Sequence, residues 1–152
     1  MIKVEKYYMV PSNLGQILRR KSIMNETILD EYAFLVSETD EKGIISFAND
    51  DFCKIAGYTI DELVGQPHNM VRHRDMPKAA FKSLWDTVKK GDVWTGYVKN
   101  ATKNGGFYWV YATVYPFETC NGGKGYLSCR RKPSREEIEK HDKLYKEWKL
   151  KE

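Results

Sequence analysis

Two periodicities divide the chain. From residue 94 to 131 apolar and polar positions alternate, in three runs at roughly 94–102, 107–118 and 123–131. Lys103-Asn104-Gly105-Gly106 and Asn121-Gly122-Gly123 punctuate them and predict two hairpins. Upstream, Ala33–Ser37 and Ile44–Phe47 are short β-prone runs around the turn Asp40-Glu41-Lys42-Gly43. Between these two groups the period lengthens. Phe52, Ile55 and Ala56 make one face of a short helix that Asn49 can cap. Thr59 and Glu62 form a capping box for a second helix, and Gly65 and Pro67 end it. Phe81, Leu84, Trp85 and Val88 fall at i, i+3, i+4 and i+7, the stripe of an amphipathic helix, for which Asp75 is the expected N-cap and Gly91 the C-cap. Ser134 and Glu137 open a terminal helix striped by Ile138, His141, Tyr145 and Trp148. Two strands, grouped helices and three more strands predict an α+β fold with an antiparallel sheet covered on one face. The terminal stripe is expected to join a dimer or partner interface.

Composition narrows the class. The 152 residues are 41% hydrophobic and 30% charged, as in an ordinary globular domain. No apolar run reaches the ~18 residues of a membrane span. Three cysteines without a CxxC suit a reducing cytosol. The net charge of +4 suggests a nucleic-acid partner only at first sight. Residues 1–23 hold five Lys/Arg against one Asp/Glu, and the remainder holds 20 of each. The excess therefore sits in a leader, not on a basic face. Arg19-Arg20-Lys21 could be encoded as a ribosome-binding sequence before Met24, so a start at Met24 competes with a genuine basic arm. The expected organisation is leader 1–23, sensor-type domain 24–132 and helix 133–152.

The most concentrated polar chemistry lies in GQPHNMVRHRDMPKAAF, residues 65–81, which gathers His68, Asn69, Arg72, His73, Arg74 and Asp75 just before the long helix. Asn100 shares a strand face with Trp94, Gly96 and Val98, and a lone Asn among core-facing positions needs a partner. The parity of Val110, Ala112 and Val114 sends Tyr108 inward and Trp109 to the outer face. Phe81 and Trp85 are either plain core or one wall of a pocket. His68, His73 and the cysteines lack zinc-ligand spacing. Walker and GxGxxG loops are absent, and no local triad suggests a hydrolase.

The order of elements, together with GQPHNMVRH-x-DMPKAAF, the WxGxVKN strand and the KNG-x-x-YWV hairpin, resembles a PAS domain. Within that family it is similar to the sensor domains of bacterial aerotaxis receptors and their stand-alone relatives, from about Leu35 to Arg130. Arg74 departs from the pattern, which often has Pro there. The resemblance implies a five-stranded antiparallel sheet whose helices enclose a ligand pocket, with FAD bound non-covalently and its redox state read as the signal. It further implies ligand roles for Asn49, Arg72, His73, Asp75, Phe81, Trp85, Asn100 and Tyr108, although Asn49 and Asp75 each suit an N-cap. The alternatives are a haem-binding gas sensor with His73 or His68 as axial ligand, a cofactor-free interaction domain and, least favoured, a small flavin oxidoreductase. Photoactive flavin domains of this superfold carry a cysteine in GxNCRFLQ; this segment has none, so a light-driven adduct is not expected. The implied setting is a cytoplasmic, non-enzymatic module without nucleic-acid or direct membrane contact. Its implied partner is a separate membrane-bound chemoreceptor-like protein, and a homodimer is the other candidate assembly.

Overall fold

The computed structural model describes residues 25–152; the leader 1–23 and the question of a start at Met24 lie outside them. β1 (Leu35–Asp40) and β2 (Ile45–Ala48) form the first hairpin, and β3 (Trp94–Ala101), β4 (Phe107–Glu118) and β5 (Lys124–Arg131) follow the helices. All pair antiparallel in one five-stranded sheet, in the order β2-β1-β5-β4-β3. This is the α+β architecture that the change of period predicts. Asp40 makes the first turn, its Oδ1 accepting from the backbone of Lys42 and Ile44 at 2.9 Å. Gly43 there has φ 80°, a left-handed conformation that suits glycine.

Among the described residues four α-helices accompany the sheet. α1 (Asp50–Ala56) is capped by Asn49, and α2 (Ile60–Leu63) carries the Thr59/Glu62 capping box. α3 (Lys78–Val88) departs from expectation at its start. Its N-cap position is Pro77, which has no side-chain bond to offer, and Asp75 does not cap it. Asp75 is drawn away by Lys99 on β3, whose Nζ lies 2.9 Å from its carboxylate. Instead, the Glu152 carboxylate accepts from the backbone N–H groups of Lys78 and Ala79. A side chain 73 residues distant in sequence thus satisfies orphan donors of this helix end.

α4 (Arg135–Lys149) opens on the Ser134/Glu137 capping box, as the sequence implies. Its stripe does not wait for another molecule. It packs on the chain's own sheet, over the face opposite α3. Trp109 is only 4% exposed and stacks on Tyr145, with ring centroids 6.3 Å apart and planes 20° off parallel. The Tyr145 hydroxyl donates to the Tyr97 carbonyl at 2.7 Å, and His141 lies 4.0 Å from the Tyr97 ring. Ile138 and Tyr145 are buried, while Trp148 stays 36% exposed at the edge of the patch. The parity that sends Trp109 outward therefore holds, and α4 is what covers it. An amphipathic helix with a large aromatic stripe gains more by docking on an adjacent aromatic face than by remaining solvated.

Tyr145→Ala should lower the unfolding free energy by about 3 kcal/mol, as other buried aromatic truncations do. Trp148→Ala, at a half-open position, should cost clearly less. Chemical denaturation of the two variants checks this ordering, and equal costs would contradict the docking of α4.

Candidate ligand pocket

Residues 65–73 do not form a free loop. Gly65 donates to the Ile45 carbonyl, Ile45 to that of Gln66 and His68 to that of Gly43, at 2.8–2.9 Å, which pairs the segment with the open edge of β2. After a 3-10 turn at His68–Val71, Arg72 forms a bridge with Asn100, and His73 donates to the Lys99 carbonyl at 3.3 Å, on the open edge of β3. One segment thus straps both edge strands and satisfies backbone groups they would otherwise expose. Val71 and Met76 enter the core; of the polar residues between them Arg72 lines the adjacent cavity, and Asp75 pairs with Lys99.

Between the strap, α3 and the sheet lies a cavity of about 630 Å³. α3 supplies Phe81, Leu84 and Trp85 as one wall. Trp94, Val98, Ala112 and Val114 supply the apolar floor. The Trp94 ring lies flat over Gly96: a Cβ there would sit 2.4 Å from the indole, which explains why Trp-x-Gly is needed on this strand. The indole Nε1 donates to Ser83 at 3.3 Å and ties the floor to α3. Trp85 meets Tyr126 edge-on at 5.3 Å, and the Arg72 guanidinium rests 3.4 Å above the Phe81 ring. Glu41, Lys42, Lys82, Asp86 and Lys89 stand at the exposed mouth.

Four of the sequence candidates line this cavity: Arg72, Phe81, Trp85 and Asn100. The other four lie behind its walls, and each has a local reason. Asn49 is fully engaged, its Oδ1 accepting from Val36 and Phe52 and its Nδ2 donating to the Phe34 carbonyl at 2.7 Å. It caps α1 and binds that helix to β1. His73 Nδ1 accepts from the Asp75 backbone at 3.0 Å, and its ring lies edge-on to Phe107. Burial, then Lys99, pushes the His73 pKa down, so the ring is neutral. Asp75 pairs with Lys99 as described. Tyr108 is wholly buried, and burial raises its pKa to about 12. Its hydroxyl has no partner of regular geometry, although the Asn100 amide lies beside it.

The cavity also contains a group that the sequence reasoning missed. Arg130 projects from β5 and is 3% exposed. Its Nη2 donates to Ser37 Oγ and to His68 Nε2, both at 2.7 Å, while its Nη1 has no partner. A guanidinium can only donate, so His68 Nε2 is the acceptor and the ring proton sits on Nδ1. Burial and Arg130 push the His68 pKa down to about 3. The signal in the sequence was the pair Arg130-Arg131: in a period-two strand, one of two adjacent arginines must point inward.

Among the described residues no group of three or more His, Cys, Asp or Glu is placed to hold a metal ion, and no helix is long and apolar enough to cross a membrane.

His68 has a measurable consequence for stability. Its pKa is about 3 in the folded chain against ~6.5 unfolded. Between those values the unfolded state binds the extra proton, so stability falls as pH drops through that window, by at most ~1.4 kcal/mol per unit. His73 adds to the same slope. His68→Gln, which keeps an acceptor for Arg130, should flatten the dependence between pH 6.5 and 3 in denaturation measured across pH; an unchanged slope would contradict a neutral buried His68.

Comparison with known proteins agrees with this architecture. The chain is 50% identical over 120 residues to the aerotaxis receptor of Escherichia coli (strain K12), covering 79% of this chain and 24% of that protein. It is 26% identical over 106 residues to the nitrogen fixation regulatory protein of Klebsiella pneumoniae, covering 69% of this chain and 21% of that one. The chain thus spans less than a quarter of the length of these curated relatives. Among solved structures, a PAS domain from Colwellia psychrerythraea superposes with a TM-score of 0.60 at 22% identity, over 78% of this chain and 98% of that one. A light-oxygen-voltage domain studied with a flavin analogue gives 0.61 at 19%, over 75% of this chain and 86% of that one. At such identities these structures speak to the fold alone. The sequence model of the PAS fold matches residues 45–129, more than half of the chain, and the chain belongs to the PAS family.

Proposed function

We propose that the cavity binds FAD non-covalently and that the chain is a redox-sensing module, not an enzyme. The observation that carries this reading is the Asn100 amide. It lines the cavity between an aromatic wall and an apolar floor, beside the buried Tyr108 hydroxyl, which has no partner of regular geometry among the described residues. A flat slot with free hydrogen-bonding groups at its edge suits an isoalloxazine ring, whose faces are apolar and whose rim carries N and O atoms. Arg72 Nε and Arg130 Nη1 are further orphaned donors on residues lining the same cavity. Phe81, Trp85 and Trp94 would bound the ring, Asn100 would meet its edge, and Arg72, stacked on Phe81, would close the strap side. Bound there, the flavin would supply reversible electron uptake.

Haem fits less well. His73 is turned to Phe107 and the Asp75 backbone, and His68, the histidine that lines the cavity, has its Nε2 committed to Arg130. Neither offers a free imidazole nitrogen on the cavity side.

The 50% identity to the aerotaxis receptor supports a role in energy or oxygen sensing. On this reading the module acts in the cytoplasm and passes its state to a separate chemoreceptor-like transducer in the membrane. The surface closest to the pocket chemistry runs through the strap. Arg72 lies on its cavity side, whereas Arg74 and Met76 offer their carbonyls to Lys149 of α4. A change at the ring can therefore reach the outer face over a short path.

Purified protein should absorb near 450 nm and release FAD on heat denaturation, as identified by chromatography. Asn100→Ala should stay folded and weaken FAD binding roughly fivefold, the worth of one hydrogen bond of about 1 kcal/mol. Asn49→Ala should lose stability through its cap and β1 bonds, with little direct effect on ring affinity. A Soret band in place of the flavin spectrum would overturn the assignment, and so would unaltered FAD affinity in Asn100→Ala.

A further inference from the structure

The cavity holds a buried positive charge with no counter-charge. Arg130 makes no ion pair among the described residues: its partners are a serine hydroxyl and a neutral imidazole. The six lysine and arginine ion pairs among the described residues involve other cations. The carboxylates nearest the cavity, Glu41 and Asp86, stand at its exposed mouth, and Asp86 is engaged by Lys82. His68 cannot neutralise the guanidinium, because an imidazole is either neutral or positively charged, and burial and Arg130 keep this one neutral. Tyr108 and Cys129 are the other titratable groups that act on Arg130, and burial keeps Tyr108 in its neutral phenol form. Leaving a charge buried and unpaired is costly unless something brought into the cavity repays it.

We propose that Arg130 is a specificity-determining residue that makes this cavity hold a negatively charged ring more tightly than a neutral one. The inference rests on the flavin reading of the pocket and adds a preference between its redox forms. The oxidised ring is neutral. Uptake of two electrons and one proton gives a reduced ring with a single negative charge. In the spectroelectrochemical assay the electrode supplies the electrons through a mediator, and water the proton. A guanidinium in a site shielded from solvent attracts that charge far more strongly than it would in water. It offers little to the neutral form beyond a hydrogen bond. The stack of Arg130 on Phe52, 5.0 Å from centroid to guanidinium, and its bonds to β1 and the strap hold the charge in place, so it cannot swing out to solvent. Differential affinity of this kind is what lets a change in ring charge shift the equilibrium of the protein. It would raise the potential of the bound flavin above that of free FAD.

A competing account gives Arg130 a purely structural role, joining α1, the strap and the sheet. The two accounts separate in the ratio of affinities for reduced and oxidised FAD. In wild-type protein the ratio should favour the reduced form. In Arg130→Gln it should fall about tenfold, a downward shift of roughly 30 mV for a two-electron couple in spectroelectrochemical titration. Arg130→Lys should retain most of the preference. A structural role predicts loss of thermal stability with the ratio unchanged, and that result overturns the proposal.

A second measurement needs no variant. FAD reconstituted with an 8-hydroxy ring can ionise, placing negative charge towards the N1–C2 carbonyl end. Its pKa should fall by at least one unit on binding to the wild-type protein, and an unchanged or raised value overturns the charge preference. If neither FAD nor the analogue binds, the flavin reading itself fails. If both bind without preference for charge, the flavin reading stands and the inference about Arg130 does not.

Discussion

A sheet covered on both faces leaves its polar residues nowhere to point but at each other. Here α3 and the strap cover one face and α4 the other. Every polar side chain on an inward position must therefore find a partner within the fold or stay unsatisfied. Lys99 finds Asp75, Ser37 finds Arg130, and Asn49 finds the start of β1 and a helix. Arg130 and Arg72 are only partly answered, and both border the same cavity; the Tyr108 hydroxyl, also without a partner of regular geometry, lies beside Asn100 of its lining. The site is thus defined less by any single residue than by where the bookkeeping of hydrogen bonds fails to close.

The strap turns this constraint into a single piece of chain. Its two ends pair with the two open edges of the sheet, so its backbone is fixed before its side chains are considered. His68 is delivered to Arg130 on the cavity side. Arg72 is delivered to the face of Phe81. Asp75 passes over the β3 edge and meets Lys99 beyond it. The density of polar residues in GQPHNMVRHRD follows from this crossing: the segment must serve two edges, one cavity and one outer surface within about a dozen residues.

Much of this was legible in the sequence. Hairpin turns, the two capping boxes, the period-two parity of Tyr108 and Trp109 and the aromatic stripe of α3 all depend on neighbours close in sequence, and local physics suffices for them. What was not legible depends on distant groups. Asp75 looks like an N-cap until Lys99, 24 positions away, is brought beside it, and the cap of α3 comes instead from Glu152. The stripe of α4 reads equally well as an intermolecular surface until Trp109 is found beneath it. Arg130 is one of two adjacent arginines, and only the strand register puts it inward, opposite Ala112 and Leu35. Of the eight candidate residues, the four that line the cavity sit on α3, on β3 or where the strap bridges β3; three of the other four are spent on holding those elements together.

The same partners connect the two faces of the sheet. α4 is joined to the pocket helix through Glu152 at the start of α3, and to the strap through Lys149, which donates to the carbonyls of Arg74 and Met76. Met76 in turn accepts from the Lys99 backbone through its sulfur at 3.3 Å. These bonds reach the strap within a few residues of Arg72 and the first turn of α3 one turn before Phe81. A ligand that draws the strap or α3 inward must therefore strain or reorganise contacts that hold the last turn of α4. Coupling between sites is reciprocal, so whatever stabilises the docked α4 also stabilises the arrangement of the strap that the ligand meets. The outer helix and the inner pocket are thus joined through the same hydrogen-bonded edge.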